Sequence, residues 1–340
     1  MTKGTLLKAL CVILPTVGLV FLLRSLGWGQ LAGALSQFHP GWIALLVVLA
    51  VLESVADGLG LWIATGRRGS AKFGIAVNSA GAITNLILPF EAGEVLKGTL
   101  LRKRIGAQAA VSGTILWNYL FKLTRPLVSL AATLVGVAFY ALPDRNRLMV
   151  ILACGAAAFL PYAALRLLVR HGAARSFLRV VGLLPVVGRH SPRWIEAAAG
   201  IDREVRQFWK ERPKEYRRIF ASQILGRLLG WATIHVLLLS LGIDRGFALS
   251  SLVFALITVA DYLVTVLPAR IGVSEGSTYF LFQFLALPAP LGVILYAMLR
   301  IRTLLGNLVL LPLGLLGGNS PPQVDPDSRD PFLSSKRPCR

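Results

Sequence analysis

The chain has 340 residues, of which 55% are hydrophobic and only 15% charged, and its formal net charge is +20. A soluble domain carries about a quarter charged residues. The apolar residues of this chain lie in long continuous runs, which are typical of membrane-spanning helices. These runs lack the alternation of a membrane β-barrel. The positive-inside rule explains the excess of Lys and Arg, so no nucleic-acid partner is expected. The composition predicts an all-α, polytopic transmembrane helical bundle.

The first predicted helix is the apolar run 9–23, which follows Lys3 and Lys8. A cleaved signal peptide is the alternative, because residues 32–34 are small enough for a cleavage site. That site lies too far from the apolar run, and further spans follow it. We therefore expect an uncleaved helix with a cytoplasmic N-terminus.

The second predicted span is 42–64, and the basic loop at 67–72 places its end in the cytoplasm. The next apolar segment, 73–89, is short, contains Asn and Gly, and has basic residues on both flanks. A segment that enters and leaves on one side is re-entrant, and its broken backbone must be buried in protein or line a cavity.

Residues 106–142 are too long for one simple span and carry Lys122, Arg125 and Pro126 near the middle, which favours a partial helix followed by a full span. Residues 148–165 then return the chain to the cytoplasm. Further apolar segments are predicted at 219–241, 247–267, 277–287, 291–302 and 303–316. The transmembrane region is expected to cover 1–317, followed by a disordered tail at 318–340, which is rich in Pro, Asp, Ser and Arg.

The longest polar stretch, 166–218, has thirteen Lys and Arg against five Asp and Glu, a difference of eight positive charges. It is therefore expected to be a cytoplasmic loop. Between Trp194 and Trp209 its apolar residues recur at spacings of four and three, which predicts an amphipathic helix. Such a basic helix suits the surface of an anionic membrane; the alternative is a soluble loop that packs on its own protein.

A shift of 179 residues superimposes two interruptions of the apolar pattern, so that Pro89 meets Pro268 and Gly93 meets Gly272. Ten of the thirty-three residue pairs from 88 to 120 are identical at this shift. The repeats cover about 42–142 and 221–317, and the charge rule gives their first spans opposite directions. Inverted repeats with broken helices are a recurring plan of membrane transporters.

Charged residues inside a bilayer are costly and mark function by default. The residues expected to bind substrate lie beside the two interruptions: Glu91, Glu94, Lys97, Lys122, Arg125, Arg270, Glu275, Arg300 and Arg302. Pro89, Gly93, Pro268 and Gly272 are expected to shape the backbone breaks. Further candidates inside the spans are Glu53, Asp57, Arg227 and Asp261.

These cations, together with the helix N-termini after Gly93 and Gly272, could hold a phosphate. The glutamates would pair with the cations in the empty site or exchange protons. The alternative is that Glu94–Lys97 and Arg270–Glu275 are structural pairs, while the remaining cations only snorkel. The three cysteines and four histidines are scattered, so neither a metal nor a cofactor is expected.

The segments 85–97 (Asn-Leu-Ile-Leu-Pro-Phe-Glu-Ala-Gly-Glu-Val-Leu-Lys) and 267–276 (Leu-Pro-Ala-Arg-Ile-Gly-Val-Ser-Glu-Gly) carry a resemblance. Over roughly 5–317 the chain resembles the transmembrane region of lysylphosphatidylglycerol synthases, a flippase-like family also found as stand-alone proteins. Its second motif is most similar to members encoded beside hopanoid-synthesis genes. The resemblance implies translocation or handling of a polar-headed lipid, without the aminoacyl transfer that a separate soluble domain performs.

The leading hypothesis is an inner-membrane protein that translocates a phospholipid, polyprenyl-linked or hopanoid-type lipid, without enzymatic activity. A membrane-embedded transferase is the alternative, but the Asp-x-Asp at Asp325 and Asp327 lies in the predicted tail. A third hypothesis is a membrane scaffold that binds a partner through 166–218. The scaffold hypothesis predicts that the intramembrane charges can be replaced without loss of function. The transport hypothesis predicts that they cannot.

Overall fold

The computed structural model describes residues 39–87, 91–142, 146–156, 159, 211–265 and 273–316. The predictions for the first helix, for 160–210 and for the tail lie outside these residues, as do those for Pro89, Pro268, Arg270 and Gly272. The helices are α1 (Pro40–Ala64), α2 (Ala71–Ile87), α3 (Ala92–Ile105), α4 (Ala107–Phe139), α5 (Asn146–Ala156), α6 (Pro213–Ser240), α7 (Gly246–Thr265), α8 (Val273–Phe284), α9 (Ala289–Leu310) and α10 (Leu313–Leu316).

The predicted all-α membrane fold is confirmed within these ranges, which contain helices and no strand. Four helices, α1, α4, α6 and α9, are long and apolar enough to cross a membrane. The first, with 25 residues, is about 38 Å long at the rise of an α-helix, so it exceeds the hydrocarbon thickness.

Two predicted boundaries are wrong. The expected division of 106–142 does not occur, because α4 is one continuous helix of 33 residues with Pro126 inside it. Proline lacks the N–H that would bond to the carbonyl of Lys122, and the Tyr262 hydroxyl donates to that carbonyl instead, at 3.2 Å. The expected division at 302–303 is also absent, because α9 continues to Leu310, and Arg302 at that position is paired with Glu53 of α1.

Helices α2 and α3 form a tight hairpin between residues 71 and 105. They have 17 and 14 residues, so each is shorter than the roughly 20 residues that a span needs. Arg104 at the end of α3 lies over the ring of Phe73 at the start of α2, 4.2 Å from its centroid. The chain therefore leaves the hairpin at the end where it entered, which is the course expected of a re-entrant segment.

Glycine allows the two arms of this hairpin to touch. A Cβ atom added to Gly93 would lie 2.0 Å from the carbonyl oxygen of Gly81, far inside contact distance. A Cβ atom added to Gly81 would meet the Lys97 side chain at 2.4 Å. Small residues that let backbones approach are the usual means of packing helices in membranes.

The contacts between helices follow the same pattern in the two halves of the predicted repeat. At a shift of 179 residues, α1, α2, α3 and α4 overlap α6, α7, α8 and α9. Helix α1 packs on α6; α9 packs on α1 and α2, just as α4 packs on α6 and α7. Exchanging the two halves thus maps one set of contacts onto the other, while the inversion across the membrane stays a prediction.

The apolar core forms two clusters with a polar layer between them. Along α4, one cluster contains Ala110 to Leu120 and the other begins at Val128. Along α1, the first cluster contains Leu61 and the second contains Leu46. The residues between these points on each helix include the charged side chains of the candidate site.

Candidate functional site

Four charged side chains join α1, α6 and α9 in the middle of the molecule. Arg227 of α6 bonds to Asp57 of α1 and lies 3.6 Å from Glu53, one turn earlier on α1. Arg302 of α9 donates to Glu53 at 2.9 Å. Arg227 is 14 residues from Pro213 and 13 from Ser240, so it lies about 20 Å along the helix from either end.

Close helix packing brings these charges together. A Cβ atom on Gly306 would lie 2.6 Å from the Cβ atom of Ala50, so α9 touches α1 one turn away from Arg302 and Glu53. A Cβ atom on Gly226 of α6 would lie 2.9 Å from the free carboxylate oxygen of Asp57. The glycines therefore set the helix separations at which the side chains can meet.

A second set of ion pairs surrounds the start of α3. Glu91, the residue before this helix, accepts from Lys122 of α4 at 3.2 Å. One turn along α4, Arg125 pairs with Asp261 of α7. Because Lys122 and Arg125 are three residues apart, they lie on the same side of α4. This set joins the first backbone break to the second half of the molecule.

The same chain of contacts continues to the second break. Asp261 also accepts from the Tyr296 hydroxyl of α9 at 2.9 Å. Arg300, one turn later, lies 5.4 Å from the centre of the Tyr296 ring and forms an ion pair with Glu275, whose carboxylate is 2.9 Å from its Nε. Glu275 lies in the first turn of α8. Polar groups thus run from the residue before α3 to the first turn of α8.

Several of these charges face open space although they lie within helices. The side chain of Lys122 is 47% exposed and that of Arg125 is 25% exposed. A charged group facing hydrocarbon in mid-membrane is unfavourable, and such groups line water-filled cavities instead. These two exposed cations are therefore candidates for the lining of such a cavity.

A third set holds the α2–α3 hairpin closed. The Gly93 amide donates to the Asn85 side chain at 2.7 Å, and Asn85 donates in turn to Glu94 at 3.2 Å. Lys97 bonds to Glu94 at 2.9 Å and lies over the Trp117 ring, 3.9 Å from its centroid. The Gly93 N–H, expected to face a phosphate, is thus already bonded to Asn85.

The structure divides the predicted substrate-binding set. It brings Glu91, Lys122 and Arg125 together, and it joins Glu275 to Arg300 through the Tyr296 contacts. Arg302 faces Glu53 instead. It lies two residues after Arg300, which places the two side chains about 200° apart around the helix. Glu94 and Lys97 pair within their own hairpin. Both the transport and the structural interpretations expect such pairs, so pairing alone does not decide between them.

Sequence reasoning missed several polar partners in this layer. Tyr262 and Tyr296 were not candidates, because a tyrosine in an apolar span gives no signal of its own. Glu53 and Asp57 were noted only singly, although their spacing of four residues places them on one helix face. Within the described ranges, no three His, Cys, Asp or Glu side chains are grouped so that they could hold a metal ion.

A family model described as Lysylphosphatidylglycerol synthase TM region matches residues 6–310. No curated protein and no solved structure matches the chain.

Proposed function

This chain belongs to the Lysylphosphatidylglycerol synthase TM region family, and from that premise we propose that it translocates a polar-headed lipid across the inner membrane. It is a multi-pass membrane protein with four candidate spans in its described part. The lipid classes that fit the proposal are phospholipids, polyprenyl-linked lipids and hopanoid-type lipids. We expect the N-terminus and the 166–218 loop to be cytoplasmic.

The observation that carries the proposal is the charged layer between the two apolar clusters. A lipid headgroup that crosses a bilayer must leave water, and mid-membrane charges cost several kcal/mol unless polar partners replace the water. Lys122, Arg125 and Arg300 supply cations for a phosphate there. Their carboxylate partners keep the same layer solvated when no lipid is present.

The two helix breaks supply a means of access from either side. The α2–α3 hairpin and the α7–α8 pair each contribute a helix start with a glutamate, Glu94 or Glu275, beside the layer. In transporters built from inverted repeats, movement of one repeat against the other opens a fixed site alternately to each side. We propose that these two breaks act as the gates.

Transport also fits the chemistry of the layer better than catalysis does. Each of its six carboxylates (Glu53, Asp57, Glu91, Glu94, Asp261 and Glu275) has a Lys or Arg partner. These cations occupy the carboxylate oxygens, whereas a general base needs an oxygen within hydrogen-bond reach of the substrate proton that it removes. We therefore propose that the protein has no enzymatic activity.

The test is lipid scrambling in proteoliposomes, measured by the accessibility of labelled headgroups to an impermeant quencher. Wild type would be compared with Glu94→Gln and Glu275→Gln, using phosphatidylglycerol, a polyprenyl phosphate and a hopanoid in turn. We expect each variant to scramble its lipid at least about tenfold more slowly, as loss of a charge-assisted bond worth roughly 1.5–3 kcal/mol implies.

The matched control is Glu215→Gln, which removes a carboxylate paired with Arg212 near the start of α6, away from the layer. It should scramble at the wild-type rate. Well-folded wild-type protein that scrambles none of the three lipids would overturn the proposal in favour of a transferase or a scaffold. If both layer variants scramble lipid at the wild-type rate, neither Glu94 nor Glu275 belongs to the transport site.

A further inference from the structure

Arg227 and Arg302 have hydrogen-bond donors that no described residue accepts from. Both residues are 7% exposed. Nε and Nη1 of Arg302, and Nε of Arg227, are buried and have no hydrogen-bond partner among the described residues. A buried donor without an acceptor is unfavourable and rare in native proteins. Three such donor atoms on two neighbouring guanidinium groups indicate a site for an acceptor-rich ligand.

Glu53 occupies the space between the two arginines. Its carboxylate accepts from Arg302 at 2.9 Å and lies 3.6 Å from Arg227. Its side chain is 20% exposed, more than those of Asp57, Arg227 and Arg302, which are between 8% and 11% exposed. Glu53 is thus the member of the group that faces outward. A carboxylate has two oxygens, whereas a phosphate group offers more acceptors to two guanidinium groups.

Arg227 does not depend on Glu53 for its position. It bonds to Asp57 and lies over the Phe121 ring, 4.4 Å from its centroid. Arg302 lies on α9, which contacts α1 where Gly306 meets Ala50, and among the described residues its guanidinium bonds to Glu53 alone. If the Glu53 side chain swung away, Arg227 would keep its place and Arg302 would need a new acceptor, which a phosphate supplies.

We propose that Glu53 is an internal stand-in for a phosphate, and that the phosphate of the ligand displaces it from between Arg227 and Arg302. This inference rests on the proposed function and names the residues that hold the phosphate. With Glu53 in place, the two carboxylates and two guanidinium groups sum to zero charge. Without ligand, Glu53 and Asp57 together balance the two arginines; with ligand, the phosphate takes the place of the Glu53 carboxylate between them.

The test is the affinity of the full-length protein for phosphatidylglycerol in a maltoside detergent, which carries no phosphate. Glu53→Gln keeps the size of the side chain but removes the competing charge, so it should bind the lipid about tenfold more tightly than wild type. Arg302→Gln should bind it about tenfold more weakly. In the double variant the gain from Glu53→Gln should disappear, because the phosphate no longer has both guanidinium groups.

The matched control is Asp57→Asn, which removes the other carboxylate that contacts Arg227, on the same face of the same helix. It should not tighten binding, because Asp57 anchors one arginine rather than standing between two. An equal gain in both variants would show a general effect of charge and overturn the proposal. Unchanged or weaker binding by folded Glu53→Gln protein would also overturn it.

If Glu53→Gln does not fold, Glu53→Asp makes the same comparison, because its shorter carboxylate is withdrawn from Arg302. It should then bind more tightly than wild type, and no gain would overturn the proposal.

Inorganic phosphate and a diacylglycerol distinguish the sources of the ligand. Tighter binding of phosphatidylglycerol alone supports a lipid headgroup, and the same gain for inorganic phosphate supports a free anion. A gain for diacylglycerol contradicts phosphate recognition.

The scrambling assay separates this inference from the proposed function. A wild-type protein that scrambles lipid, with no gain in affinity on Glu53→Gln, would overturn the stand-in role alone. A protein that shows the gain but scrambles no lipid would keep the phosphate site and overturn transport.

Discussion

At the scale of single residues, Tyr262 supplies the hydrogen bond that Pro126 removes from α4. Pro126 leaves the Lys122 carbonyl without its helical donor, and Tyr262 from α7 supplies one. The Tyr262 ring also lies 5.7 Å from the guanidinium carbon of Arg125. One side chain from the second half thus supports both the backbone and a charge of the first half.

We expect Tyr262→Phe to lower the free energy of unfolding by about 1 kcal/mol, the typical net value of one hydrogen bond. The loss is modest because this bond is exposed, so water can reach the carbonyl. Thermal unfolding in detergent measures it. The control is Tyr279→Phe, since the Tyr279 hydroxyl has no hydrogen bond within the part of the chain described. Equal effects in the two variants would contradict this role for Tyr262.

At the scale of elements, the arms of the α2–α3 hairpin are in backbone contact at its closed end. The Gly81 carbonyl and Gly93 touch, and Asn85 joins the end of α2 to the first turn of α3 through its two hydrogen bonds. Glu91, at the turn, has φ 52°, a left-handed conformation that costs energy for a residue other than glycine. These contacts fix the break beside Lys122.

Gly93→Ala should therefore force the two arms apart. We expect a loss of about 1–3 kcal/mol in stability, the usual cost of overpacking, and slower lipid scrambling, because Glu91 would move away from Lys122. Thermal unfolding and the scrambling assay measure the two effects.

Gly98→Ala, one turn further along the same helix, is the control, because nothing lies within 4 Å of a Cβ atom at Gly98. Alanine favours helix over glycine, so this control should be neutral or slightly stabilising. Similar losses in both variants would contradict the importance of the contact between Gly81 and Gly93.

At the scale of the whole molecule, the two halves are joined through charge. Arg227 and Arg302 of the second half hold Glu53 and Asp57 of the first, and Arg125 of the first half holds Asp261 of the second. Charged side chains at the interface between the two halves can exchange ion-pair partners as the halves move. This arrangement suits movement of one half against the other.

The predicted inversion can be tested by labelling single cysteines with an impermeant maleimide in a background without Cys11, Cys154 and Cys339. Arg68 and Asp244 are both exposed, after α1 and α6 respectively. In intact cells we expect Asp244→Cys to be labelled and Arg68→Cys to be protected until the membrane is permeabilised. Labelling of both positions from one side would contradict the inverted repeat.

Sequence recovers the apolar spans well, because each of α1, α6 and α7 is a continuous hydrophobic run bounded by polar residues. It fails where a tertiary contact offsets a local signal. Pro126 predicts a helix break, but Tyr262 supplies the donor that Pro126 lacks. The boundary predicted at Arg302 does not occur, and Arg302 pairs with Glu53 of another helix. The charges near the breaks are visible in the sequence. Their partners are not, because the choice between Glu53 and Glu275 depends on how α9 is rotated against its neighbours.

The equal numbers of acidic and basic groups in the charged layer have an electrical consequence. Six carboxylates face six cations: Lys97, Lys122, Arg125, Arg227, Arg300 and Arg302. A membrane voltage does work only on net charge that moves through it, at about 2.3 kcal/mol per elementary charge per 100 mV. The return of the unloaded protein should therefore be insensitive to membrane voltage, whereas the step that carries an anionic lipid should respond to it.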